Sequence, residues 1–148
     1  ADRAGSAAWT VLDGELGAPG HFDNAYHVLT VLHPDGIPPG GNRVDGLTVR
    51  RGNADAGNGG GVLAFNVGLR LQDVRVEDCE SRNGAGVHAQ PGQLAMIDCE
   101  LVGNRASNNG GGLWGQAVAL RIQHVRFAGN AAAGKGGGVY VHSSLPYD

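Results

Sequence analysis

Three residues able to anchor a partner recur one period apart. His88, Trp114 and Tyr140 stand 26 residues from one another, each directly after the apolar position of a glycine-led segment. A row of two aromatic rings and an imidazole offers sugar rings a stacking surface, and it offers a protein partner amphipathic anchors. The same row also fits a satellite core beneath covering loops. Arg75 and Arg126 belong to a second column, ordered Thr48, Arg75, Glu100, Arg126. Its arginines could hold a polyanionic sugar. Its alternating signs equally describe a solvated face, where each exposed pair contributes only about 0–1 kcal/mol. Asp73 and Asp98 share a turn position, and stacked carboxylates about 5 Å apart could bind calcium or act as acid and base. The neighbouring slots hold Gly46 and His124, so the acidic set stops there. No catalytic residues are assigned. No cofactor is expected, with calcium on Asp73 and Asp98 the one weak candidate.

A phosphate-binding motif has to be weighed next. The stretch GNAAAGK, Gly129–Lys135, fits G-x-x-x-x-G-K. A phosphate cradle needs a helix after the loop and a Ser or Thr for magnesium. Here Gly136 follows the lysine, and the strand-like GGVYV comes next. The equivalent slots SNNGGG and DAGNGGG carry no lysine. This stretch reads as a turn, and no nucleotide partner is expected. The net charge of −3 likewise gives no nucleic-acid footprint. No run approaches the roughly 20 apolar residues of a membrane-spanning helix. With Ala1 in place of an initiating Met, the sequence reads as a processed chain or a piece.

The two cysteines are 20 residues apart, out of step with the period. Cys99 aligns with Val74 and Val125 and should point inward. Cys79 aligns with Asn104 and Asn130 and should sit in a turn. Five residues of offset correspond to about 15 Å along a strand, beyond disulfide reach. Asn104 and Asn130 share a slot, with Asn53 nearby, and should form a hydrogen-bonded ladder along the stack.

These columns exist only if the chain coils at constant period. Glycine contributes 27 of the 148 residues, far above the usual ~7%. The glycines punctuate the chain at GGGVLA, GAGVHA, GGGLWG and GGGVYV, with Val62, Val87, Leu113 and Val139 in register. Two further series run in step: GLTVRRGNA, DVRVEDCES, DCELVGNRA and HVRFAGNAA, then LRL, LAM and LRI. Each repeat therefore holds three short segments of alternating character, which means strands with every second residue inward. Gly and Asn interrupt every helical window. Strands recurring at constant spacing stack in parallel as a solenoid. The final coil should bury Leu120, Ile122, Val125, Phe127, Val139 and Val141.

This grammar resembles the right-handed parallel β-helix proteins of the pectate-lyase-like superfamily. The FAGNAA…GGGVYV form is similar to bacterial surface and adhesin-type members. The resemblance covers residues 43–141 well and 9–42 loosely. It implies an all-β, right-handed parallel β-helix of about five coils of ~26 residues in one domain, 1–148. Residues 1–42 would form a diverged first coil or cap, 43–141 the regular coils and 142–148 a tail in which Pro146 could blunt pairing. The implied place is extracellular or at the cell surface. The expected role is a non-catalytic structural or adhesive module, stacking end to end on itself. A polysaccharide-binding or polysaccharide-processing domain is the alternative, with His88, Trp114, Tyr140, Arg75 and Arg126 as contacts.

Overall fold

The computed structural model describes residues 10–17, 23–33 and 41–142. Expectations placed on residues 1–9 and 34–40, and on the tail 143–148 with Pro146, lie outside the described residues. Among the described residues there is no helix, and every strand pairing is parallel.

The strands form three sheets. The first stacks β1 (Thr10–Asp13), β4 (Leu47–Arg50), β7 (Arg75–Glu77), β10 (Glu100–Val102) and β14 (Arg126–Ala128). The second stacks β5 (Asn53–Asn58), β8 (Glu80–Asn83), β11 (Arg105–Asn109) and β15 (Ala131–Ala132). The third contains β2 (Leu29–Leu32), β3 (Asn42–Asp45), β6 (Val62–Gln72), β9 (Val87–Ile97), β12 (Leu113–Gln116), β13 (Val118–Gln123) and β16 (Val139–His142). The GGGV and LRL segments merge into one long bent strand in β6 and β9. Elsewhere they stay separate and pair with the two halves of those strands.

The result is a β-solenoid of about four turns with coils of about 26 residues. Counting sequence repeats gives five. The difference lies at the ends, because the first and last turns are incomplete among the described residues. Among the described residues of the first turn the second sheet has no strand; there the Ala25 carbonyl accepts the Asn53 N–H at 2.8 Å.

Each corner has a column of left-handed residues. One reads Gly46, Asp73, Asp98 and His124, with φ of 68°, 50°, 51° and 51°. Aspartate and histidine tolerate this region better than most side chains, so the recurrence of Asp73 and Asp98 already has a backbone explanation. Another corner column is Gly59, Gly84, Gly110 and Gly136, all with positive φ. Here the glycine runs of the sequence make the turn.

The core follows the inward columns. Leu12, Val49, Val76, Leu101 and Phe127 stack in the first sheet. Leu29, Val62, Val87, Leu113 and Val139 stack in the third. Val62, Leu71, Val87, Met96, Leu101 and Leu113 are fully excluded from solvent. Each such aliphatic side chain contributes about 1.5–3 kcal/mol on burial. The last coil departs from expectation: Ile122 and Val141 hold inward slots yet remain 40% and 47% exposed. No described residue lies over them.

Candidate functional site

The outer face of the third sheet carries the aromatic row. Strand register places Thr30, Leu63, His88, Trp114 and Tyr140 in one column. His88 and Trp114 stack nearly parallel, with ring centroids 4.3 Å apart and an interplanar angle of 7°. His88 is only 1% exposed. The adjacent glycine corners pack closely against it: Cβ atoms added at Gly59 and Gly84 would lie 3.1 Å and 2.9 Å from His88 Cβ. The missing side chains let the corner backbone approach the His88 Cβ, and the Trp114 ring lies over the imidazole. His88 Nε2 lies 3.3 Å from Gln90 Oε1. Burial pushes its pKa down to about 4, with nearby His27 adding to the fall and the Gln90 contact opposing it. The row therefore presents half-buried Trp114 and Tyr140 to solvent, over a neutral buried histidine. In the adjoining column, Leu32 and Phe65 are exposed.

A basic column lies beyond it on the same face. Arg43, Arg70 and Arg121 align, with Ala95 between the last two. Each bonds two residues along its own strand: Arg43 to Asp45 at 2.8 Å, Arg70 to Gln72 at 2.9 Å and Arg121 to Gln123 at 3.4 Å.

On the first sheet, the column Thr48, Arg75, Glu100, Arg126 is in register as the sequence pattern reads. Arg75 Nε donates to Glu77 at 2.5 Å, and its Nη1 donates to Glu100. Those carboxylates, Glu77 first, hold the Arg75 pKa above its ordinary value against the effect of burial. Arg126 stands 3.8 Å from the same Glu100. Asp98 Oδ1 and His124 Nδ1 lie 3.1 Å apart across one turn. Among the described residues, no three His, Cys, Asp or Glu side chains converge on a metal-sized site. At the first turn, Asp13 takes hydrogen bonds from Arg51 and Arg50, which hold its carboxyl well below the usual carboxylate range.

Asn104 and Asn130 form a continuous ladder. Asn104 Oδ1 accepts the Cys79 N–H at 3.1 Å, and Nδ2 donates to the Val76 carbonyl at 3.0 Å. Asn130 Oδ1 accepts the Asn104 N–H at 3.0 Å, and its Nδ2 donates to the Leu101 carbonyl at 2.8 Å. Gly52, not Asn53, aligns below Cys79, because Asn53 pairs with Glu80. Cys79 sits in the corner between β7 and β8, as its alignment suggests, but its thiol is fully buried there. Both cysteines are free; burial raises the Cys79 pKa to about 12 and also raises that of Cys99.

Sequence reading missed a second ladder. Asn83 Nδ2 donates to Asn58 Oδ1 at 2.9 Å, Asn108 Nδ2 to Asn83 Oδ1 at 3.0 Å, and the Lys135 N–H to Asn109 Oδ1 at 2.8 Å. Its signal was the Asn-Gly pair opening three successive corners, at Asn58, Asn83 and Asn109. The same geometry settles the Gly129–Lys135 stretch. Lys135 lies in this corner and leads into strand β16, not a helix.

The Chlamydia polymorphic membrane protein (Chlamydia_PMP) repeat matches residues 124–142. That span runs from the left-handed corner at His124 through β14, β15 and the glycine corner to the end of β16. No curated protein and no solved structure matches the chain.

Proposed function

We propose that this chain is a surface-associated, non-catalytic β-solenoid module with a structural or adhesive role outside the cell. The observation that carries the reading is the position of the polymorphic membrane protein repeat, which falls on the strands β14 to β16 of the last, incomplete turn of a parallel solenoid. Such a stack holds side chains in columns about 4.8 Å apart. A partner then meets a preset row, with little ordering cost on binding. Trp114 and Tyr140, backed by His88, are the contacts on the third sheet. Arg75 and Arg126 flank Glu100 on the separate outer face of the first sheet and offer a second, charged contact. Interfaces draw most of their affinity from a few Trp, Tyr and Arg anchors.

Adhesion of chain-coated beads to a panel of cultured cells and matrix proteins tests the reading. Coated beads should bind at least one surface several-fold above albumin-coated beads. Trp114→Ala with Tyr140→Ala should return binding to background while the fold persists by circular dichroism. Binding no better than albumin across the panel contradicts an adhesive role.

A further inference from the structure

The last turn keeps a glycine that its own surroundings do not require. Gly61, Gly86, Gly112 and Gly138 form one column at the third corner. A Cβ on Gly61, Gly86 or Gly112 would lie 2.5, 2.6 or 2.5 Å from the carbonyl oxygen of the next glycine in the column. In those turns the backbone above forbids a side chain. A Cβ on Gly138 would meet only Phe127 Cβ and Cγ, at 3.6 and 3.9 Å. Its φ is not left-handed either. Glycine at this slot makes sense where another turn lies above it.

Two further features of the same end agree. The N–H groups of Gly110, Gly111 and Gly112 donate to the carbonyls of Lys135, Gly136 and Gly137 at 2.8, 3.1 and 3.0 Å. One turn up, the N–H groups of Gly136, Gly137 and Gly138 meet no acceptor among the described residues. An unpaired row of this kind is a template for pairing. Val141, in the column of the 3%-exposed Ala89, is 47% exposed.

We propose that this end is an interface for the first turn of a second copy of the chain, stacked head to tail. The described strands of the first turn, β1, β2 and β3, pair in register with the turn above. Val28 and Leu29 donate to the Gly60 and Gly61 carbonyls at 3.2 and 3.0 Å, so Val28 holds the slot below Gly61. In a stack, the Val28 carbonyl of the copy lies over Gly138. Its Leu12, Leu29 and Val31 cover Phe127, Val139 and Val141, apolar on apolar. On the outer columns Val11 follows Arg126 and Thr30 follows Tyr140, so these columns bring no like charges together. The contact is heterologous and does not close, so it grows rods. This inference rests on reading the chain as a structural module.

Light scattering over a concentration series, with negative-stain imaging, compares the wild-type chain with Gly138→Ala. Wild-type mass should rise with concentration and rods should appear. Gly138→Ala should stay at single-chain mass, with its dilute-solution unfolding temperature unchanged. Val141→Lys is the second probe, because its side chain is already exposed and the charge enters only the stacked interface. A constant single-chain mass for wild type, or assembly of both variants at the wild-type concentration, overturns the proposal. Bead adhesion is measured with dilute chain, so failure of stacking and failure of adhesion are distinguishable.

Discussion

The middle turns and the last turn share one sequence grammar but differ in burial. Met96 is fully buried and its counterpart Ile122 is 40% exposed. Leu101 is fully buried, while Phe127, the next residue in its column, is only partly so. Asn104 is sealed at the centre of its ladder; Asn130 is half-buried at its edge. Local sequence does not explain these differences, since the paired residues sit in matching contexts. The neighbouring turn does. In a solenoid each turn completes the core of the one beside it, so stability belongs to interfaces between turns.

Substitution at matched positions sharpens this comparison, and the ladder should show the largest effect. Asn104→Ala would leave the Cys79 N–H and the Val76 carbonyl without their side-chain partner inside the protein. At about 1–3 kcal/mol per orphaned buried group, the melting temperature should drop sharply. Asn130→Ala should cost clearly less, because water reaches that edge. Equal losses in thermal unfolding would break the comparison.

Glycine columns come next. Gly112→Ala drives a Cβ to 2.5 Å from the Gly138 carbonyl, and overpacking of this kind costs about 1–3 kcal/mol. Gly138→Ala in dilute solution should be close to neutral. Denaturant midpoints of the two variants check this directly.

The smallest effect near neutral pH is a pH dependence. His88 titrates near 4 in the folded chain against an ordinary 6.5. The unfolded chain therefore binds the proton more readily between those values. The His88 contribution is intact above pH 6.5, falls as pH drops toward 4 and is fully lost below. The slope cannot exceed about 1.4 kcal/mol per pH unit, so by pH 5.5 the loss is modest. Replacing His88 with Phe should flatten this part of the stability curve. An unchanged slope in the variant would show that other groups set it.

Much of the fold was legible because its signal repeats. Val62, Val87, Leu113 and Val139 announce the period, and the alternation in LRL, LAM and LRI announces strands. The columns of Arg75 with Glu100 and of Trp114 with Tyr140 followed from the same register. What the pattern could not show was depth. His88 alternates outward but is buried, with Trp114 stacked on its ring and the glycine corners close against its Cβ. Cys79 aligns with turn residues, yet its slot is the floor of the asparagine ladder. Ile122 and Val141 read as core, but no described residue covers them. The second ladder was visible only as Asn-Gly pairs, which ordinarily signify turns.

Backbone hydrogen exchange, resolved by turn in dilute solution and again at high concentration, tests the central claim most directly. The account predicts strongest protection in β7 to β12, which have turns on both sides, and weak protection in β14 to β16. Protection at Gly136–Val139 should then rise with concentration. Uniform protection along the chain in dilute solution would contradict the claim that each turn is stabilised by its neighbours.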